Sequence, residues 1–146
     1  MMKDVMESWQ FWATMAACFA ALTAIFAKVG IENINSDFAT FIRTAIIFVM
    51  VFAILMIGGH WQDPATVSGK TWWFLILSGL ATGASWLCYF RALKIGEASK
   101  VAPIDKLSVV LIAIFGAAFL GEKLSPTSWI GVVMIGSGAA LIAWKG

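Results

Sequence analysis

The sequence predicts an all-α integral membrane protein built as a bundle of five transmembrane helices. Of its 146 residues, 61% are hydrophobic and only 12% are charged, whereas an ordinary globular chain is about half apolar and about a quarter charged. The apolar residues fall into five long runs that short polar segments separate. A soluble domain of this size could not bury so much apolar surface, so membrane lipid is the expected partner of most of the chain.

Each apolar run is long enough to cross a membrane, because a hydrocarbon core about 30 Å thick needs about 20 helical residues. The predicted helices of a single domain, 1–146, span about residues 11–29, 38–58, 71–93, 101–121 and 127–144. Ser125 is placed to cap the fifth helix, which opens at Pro126. The start of the fourth helix has two alternatives. Pro103 either stands in its first turn or kinks a helix that begins near Ser99.

Small residues recur four apart along several of these helices. They are Ala13, Ala17 and Ala21; Gly79 and Gly83; Ala113, Ala117 and Gly121; and Gly136 and Ala140. In lipid, such spacing lets helix backbones approach closely. These positions are therefore either contacts within the chain or the seam of a dimer.

Five charged side chains lie near membrane depth in the predicted helices: Lys28, Arg43, Arg91, Asp105 and Lys106. A charge at the centre of a spanning helix costs about 2.5 to 3.5 kcal/mol on insertion scales, so these residues need an explanation. Because consecutive helices run antiparallel, all five fall toward one membrane face and could converge on a substrate-binding or coupling site. Four bases and one acid would suit an anionic or zwitterionic solute, and Asp105 is the best candidate for a proton carrier.

Each of these residues also has a structural interpretation. A lysine or arginine near a helix end can extend to the lipid headgroups, and Asp105 can pair with a neighbour or favour a helix N-terminus. Trp86 and Tyr89, three residues apart on the third helix, either line the predicted pocket or pack in the protein interior.

The residues that other functions require are missing. The ten basic residues are scattered without a clustered stripe, so no nucleic-acid partner is expected. Cys18 and Cys88 lie in apolar runs without metal-ligand spacing, which predicts neither a disulfide nor a metal site. The single His60 lies in a loop with no nucleophile suitably placed, and no GxxxxGK[ST] phosphate loop occurs. We therefore expect neither an enzyme nor a cofactor.

The charge bias that sets membrane orientation is weak. Lys3, Lys70 and Lys123 lie on the N-terminal side and the other seven bases lie opposite, which favours an outside N-terminus. Setting aside the four bases of the predicted site leaves three against three, so the chain could insert either way. Many transporters consist of two inverted repeats around a midplane site, and two copies of this chain could supply both.

Three stretches of the sequence carry a resemblance to a known family: AKVGIENINSDFATFIRT, WLCYFRALKIGEASKVAPIDKLSVVL and FLGEKLSPTSWIGVVMIGSGAALIA. They resemble an EamA domain of the drug/metabolite transporter superfamily over about residues 14–143, and the middle stretch is the most specific. Larger members resemble two such domains fused into ten helices of inverted topology, which move amino acids, metabolites or toxic compounds. The resemblance therefore implies an EamA-like half-transporter that works as a homodimer.

The resemblance also bears on individual residues. By position, the five charged candidates match residue types of the single-domain subfamily. The small multidrug-resistance transporters resemble a four-helix version that uses a glutamate in the first helix to exchange protons for cationic drugs. Here residues 11–27 contain no acid, so antiport through such a glutamate is not expected.

The sequence favours a secondary transporter of small organic solutes that works by alternating access. Its expected location is a cell membrane, either a bacterial inner membrane or an archaeal plasma membrane. The alternative is a helical membrane subunit that transports nothing and stabilises or regulates another complex. A dry bundle in which every charge is paired or extended to the headgroups would favour that alternative.

Overall fold

All regular structure in the described residues is helical. The structure is a computed structural model that describes residues 7–145, with only the backbone of residue 145. The helices are α1 (Trp9–Gly30), α2 (Ser36–Ile57), α3 (Gly69–Ile95), α4 (Ala98–Asp105), α5 (Ser108–Phe119) and α6 (Pro126–Lys145). A short 3-10 turn, Pro64–Thr66, lies between α2 and α3. Lys3, which enters the orientation count, lies outside the described residues, as does the side chain of Lys145.

Within the described residues, five helical spans are long and apolar enough to cross a membrane, which confirms the predicted fold class. α4 and α5 together form the fourth span, Ala98–Phe119. The spans contain 19 to 27 residues, or about 28 to 40 Å of helix at 1.5 Å per residue. At most 11% of the apolar window of any span is buried. Most residues of the spans therefore keep some surface that lipid or another chain can cover.

Polar side chains satisfy the backbone where spans begin. The side-chain oxygen of Asn35 caps α2 by accepting the backbone N–H of Asp37 at 2.8 Å. Ser125 Oγ accepts the backbone N–H of Ser128 at 3.1 Å, which confirms the cap predicted for the fifth span. The turn before it contains Gly121 at φ +69°, a left-handed conformation that glycine adopts without strain.

The fourth span is interrupted after Asp105. Pro103 lies inside α4 rather than in its first turn, as in the second of the two alternatives. Beyond Asp105 the backbone N–H groups of Leu107, Val109 and Val110 each donate to the carbonyl three residues earlier, at 3.0 Å. This is the tighter 3-10 pattern, and inside a long helix it often marks a hinge.

The chain divides into two compact units. The α2–α3 unit, Ala27–Lys94, holds the last turn of α1, all of α2 and nearly all of α3. The α4–α6 unit comprises the described parts of Met1–Phe26 and Ile95–Gly146, and in it α4 and α5 both pack against α6. The best-buried large side chains all belong to the α2–α3 unit: Ile31, Phe90 and Leu93.

Candidate functional site

Two lysines join the C-terminal ends of α1 and α3. Lys28, in the last turn of α1, donates from Nζ to the carbonyl oxygen of Leu93 at 2.7 Å. Lys94, in the last turn of α3, donates to three carbonyls between α1 and α2, those of Ile31, Glu32 and Ile34, at 2.6, 2.7 and 3.1 Å. The last carbonyls of a helix lack partners within the helix, and a lysine there also complements the helix dipole. We call these four hydrogen bonds the lysine clamp.

A cavity of about 290 Å³ lies beside the lysine clamp. It is lined by Lys28, Val29, Ile31, Glu32 and Lys94. Three carbonyl oxygens already match the three N–H donors that a lysine ammonium carries, so Lys94 has no donor left for a solute. The Glu32 carboxylate adds the one negative group of the lining. The cavity therefore adjoins side chains that hold the fold together.

A second ionic contact joins the start of α2 to the end of α3. Arg91 Nη2 donates to both carboxylate oxygens of Asp37, at 3.2 and 3.1 Å. Asp37 lies in the first turn of α2, where the helix dipole favours a carboxylate. The charge of Arg91 is thus offset by an acid that the sequence-based count of the pocket charges did not include.

Arg43 contacts aromatic rings. It lies seven residues after Ser36, so it is about 10 Å along a helix that rises 1.5 Å per residue. Its guanidinium carbon is 4.4 Å from the centroid of the Trp86 ring and 5.2 Å from that of Phe90. Within residues 7–145 no carboxylate lies within 4.0 Å of this guanidinium. Arg43 is therefore held by ring faces, without an anionic partner in the described chain.

The α4–α6 unit carries its charges in local pairs. Lys106 Nζ lies 3.2 Å from Asp105 Oδ2, at the interruption of the fourth span. At the start of α4, Lys100 Nζ lies 3.3 Å from Oε2 of Glu97, the residue before the helix. A polar pair at a helix interruption within a membrane span is typical of ion and substrate sites in transporters.

The predicted site residues are distributed over both units. The α2–α3 unit holds Lys28, Arg43, Trp86, Tyr89 and Arg91, and the α4–α6 unit holds Asp105 and Lys106. The structure brings Arg43 and Trp86 together, while Tyr89 makes an edge contact with the Phe90 ring, at a centroid distance of 6.4 Å. Lys28 and Arg91 instead reach acceptors of the protein itself. That all seven residues serve one site stays a prediction.

Three residues of these arrangements were absent from the sequence-based set: Asp37, Phe90 and Lys94. Each had a signal in the sequence. Asp37 follows the helix cap Asn35 by two residues, and Phe90 follows Trp86 by four, which places both rings on one helix face. Lys94 ends an apolar helix, where a base complements unpaired carbonyls.

The part of the chain that the structure describes gathers no three His, Cys, Asp or Glu side chains that could hold a metal ion.

Comparison with known proteins shows the protein family of this chain. The sequence pattern of the EamA-like transporter family matches residues 7–144, nearly the whole chain, and confirms the resemblance that the three stretches predicted. A protein of Sinorhizobium sp., named as an uncharacterized transporter in the cobO 3' region, is 62% identical over 137 residues. That match covers 94% of this chain and 97% of the relative.

Two longer relatives are more distant. The uncharacterized transporter YxxF of Bacillus subtilis is 26% identical over 96% of this chain, and an uncharacterized transporter of Vibrio cholerae is 22% identical over 94%. In each case the match covers only 44% of the relative. The chain therefore spans less than half the length of these two proteins. No solved structure matches it.

Proposed function

The chain belongs to the EamA-like transporter family, and from this premise we infer that it is a secondary transporter that carries small organic solutes by alternating access. The observation that carries the proposal is the interruption of the fourth span at Asp105. Transporters commonly place substrate and ion sites where a spanning helix is discontinuous, because the change of hydrogen-bond register there supports both binding and movement. An apolar membrane anchor has no need of an Asp–Lys pair about 10 Å along a spanning helix.

We propose that two copies of the chain form the working transporter. Two relatives are more than twice as long as the segment they share with this chain, and a homodimer would supply a second set of helices. At most 11% of the apolar window of any span is buried in a single copy, so apolar surface remains for a second copy. The small-residue pair Gly79 and Gly83 supports a close helix contact between copies, since a Cβ atom at either position would meet nothing within 4 Å. The relatives named above are bacterial, which favours a bacterial inner membrane.

The proposal assigns different roles to the charged side chains. Asp105 carries the proton or ion that drives uphill movement, and Lys106 holds the carboxylate when no proton is bound. Arg43, with Trp86 and Tyr89, contacts the solute. Lys28 and Arg91 maintain the helix ends that frame the path. No step in this scheme requires a cofactor or catalysis.

Reconstitution in liposomes tests the proposal. Purified protein is screened for uptake of amino acids and small organic ions, with and without a pH gradient. We expect uptake of at least one solute class. Asp105→Asn should abolish accumulation driven by the gradient but retain exchange of labelled for unlabelled solute, because only the coupled proton is lost.

Glu97→Gln is the matched control, since it removes an acid of the same helix that pairs locally with Lys100. It should leave both accumulation and exchange intact. Gradient-driven accumulation by Asp105→Asn at the wild-type level would contradict the coupling role. A folded protein that moves no solute would contradict the transport proposal itself.

A specific observation supports the alternative, a non-transporting membrane subunit. The ionic groups of Lys28, Lys94 and Arg91 are all satisfied within the chain, as in a bundle whose charges serve only its architecture. A subunit of this kind would co-purify with a larger membrane complex from native membranes. Its loss from the cell would then lower the amount of that complex, and the purified chain would take up no solute in liposomes.

A further inference from the structure

Arg43 differs from the other cations at the helix ends of the α2–α3 unit. Lys28 and Lys94 donate to carbonyl oxygens, and Arg91 donates to a carboxylate. Arg43 lies deeper in its helix, contacts the rings of Trp86 and Phe90, and interacts electrostatically with Tyr89. Phe90 is 2% exposed, so this ring is fixed in the interior, and the guanidinium is held against a rigid surface.

The ring contacts leave the hydrogen-bonding capacity of Arg43 unused. A guanidinium presents five N–H donors, all in its plane. An arginine that stacks flat on an aromatic ring keeps the donors at its edges available. No described carboxylate or carbonyl accepts from those edges. An ion so far inside a spanning helix is retained in membrane proteins chiefly where it serves a polar path or ligand.

We propose that Arg43 binds the carboxylate of the transported solute and that Trp86 and Phe90 hold its guanidinium in the orientation for a two-pronged contact. The inference rests on the proposed transport function and names its substrate class, organic carboxylates. The planar donor fork of arginine matches a carboxylate with two parallel hydrogen bonds. The half-buried Trp86 beside it offers an apolar surface to the body of the solute.

Matched probes separate the carboxylate from the rest of the solute. Phenylacetate and valerate are compared with phenylacetamide and valeramide, which keep the shape without the charge, and with phenethylamine, which reverses the charge. Binding to the purified dimer in detergent is measured through the shift in melting temperature as each probe is titrated. We expect the carboxylates to bind at least about tenfold more tightly than their amides, the effect of a charge-assisted contact.

Substitution at Arg43 should remove that preference. Arg43→Gln should weaken binding of the carboxylates by about ten- to a hundredfold and leave the amides unchanged. Arg43→Lys should fall between, because it keeps the charge and loses the planar fork. Trp86→Leu should weaken carboxylate binding less than Arg43→Gln. Lys70→Gln is the control, since it removes an exposed positive charge at the start of α3 in the same unit.

The outcomes distinguish this inference from the transport proposal. A wild-type protein that binds no carboxylate, or binds amides or the amine equally well, overturns the inference. So does an Arg43→Lys or Arg43→Gln variant with a wild-type melting temperature and an unchanged preference. Binding that depends on anionic lipid added to the detergent and is insensitive to carboxylates would assign Arg43 to a lipid phosphate and also overturn it. Carboxylate preference without uptake into liposomes would support the site at Arg43 and reject transport. Uptake of neutral solutes alone would support transport and reject the site.

Discussion

Charged side chains make long-range contacts in the α2–α3 unit, and two ion pairs of the α4–α6 unit are local. Lys28, Lys94 and Arg91 reach partners 54 to 65 residues away along the chain. In the α4–α6 unit the pairs are one and three residues apart, as for Asp105–Lys106 and Glu97–Lys100. Ionic groups therefore connect separate helices in the α2–α3 unit, whereas the pairs Asp105–Lys106 and Glu97–Lys100 of the α4–α6 unit each lie within one helix or next to its end.

Close packing joins helices of the α4–α6 unit. A Cβ atom at Gly136 of α6 would lie 3.2 Å from Cγ2 of Val110 in α5, so the two helices approach closely at a glycine. Ala113 and Ala139 are among the few buried residues. Close contact through small side chains is the usual means of helix association in lipid. The comparison thus predicts that charge substitutions destabilise the α2–α3 unit and that bulky substitutions at small residues destabilise the α4–α6 unit.

The largest effect is expected for Lys94→Met. This change keeps the approximate length of the side chain and removes three hydrogen bonds to carbonyls of the segment between α1 and α2. We expect the free energy of unfolding to fall by about 2 to 3 kcal/mol, the order of a few charge-assisted hydrogen bonds at a partly exposed site. Unfolding of the purified protein in mixed micelles with increasing SDS measures it.

Two further variants calibrate that result. Lys28→Met removes one carbonyl contact and should lower the free energy of unfolding by about 1 to 2 kcal/mol. Lys123→Met removes an exposed lysine of the turn before α6 and should change it by less than about 0.5 kcal/mol. Equal losses in Lys94→Met and Lys123→Met would show that the lysine clamp does not stabilise the fold.

A somewhat smaller effect is expected at Gly136 in the other unit. Gly136→Val places a branched side chain against Val110, and overpacking of this kind costs about 1 to 2 kcal/mol. Gly138→Val is the control in the same helix, since a Cβ atom there meets nothing within 4 Å. Both variants are compared by the same SDS titration. A larger loss of unfolding free energy in Gly138→Val would place the packing contact on another face of α6. It would then contradict the role given to Gly136 in the α4–α6 unit.

The fold was predictable because its cause is composition. A run of about 20 apolar residues spans lipid as a helix, because a helix satisfies the backbone hydrogen bonds within the segment. The cap at Ser125 was predictable because its signal is local. The interruption after Asp105 was only partly predictable from the sequence. Pro103 signalled an irregularity, but the shift to 3-10 bonds at Leu107 follows from no residue type.

The candidate site was less predictable, because its contacts are distant in sequence. Arg43, Trp86 and Arg91 stood out as charged or amphipathic residues in apolar helices, and the sequence contained no indication of which partner each would meet. Asp37 lies one residue before the predicted second helix, 38–58, and so was not considered as the partner of Arg91. Residue types thus identified the unusual side chains. Only the side-chain contacts between α2 and α3 separated Arg91, which pairs with Asp37, from Arg43, which has no carboxylate partner among the described residues.

The smallest expected effect is the difference between two coupling energies. Arg91–Asp37 and Glu97–Lys100 are both exposed ion pairs, so each is worth about 1 kcal/mol or less. Arg91 holds both carboxylate oxygens across two helices, whereas Glu97 and Lys100 are three residues apart at the start of α4. A double-mutant cycle of Arg91→Gln with Asp37→Asn should give a coupling of about 0.5 to 1 kcal/mol, against less than about 0.5 kcal/mol for Glu97→Gln with Lys100→Gln. Since high salt screens exposed charges, both couplings should shrink in concentrated NaCl. A larger coupling for the local pair would mean that the two units do not differ through ionic contacts across helices.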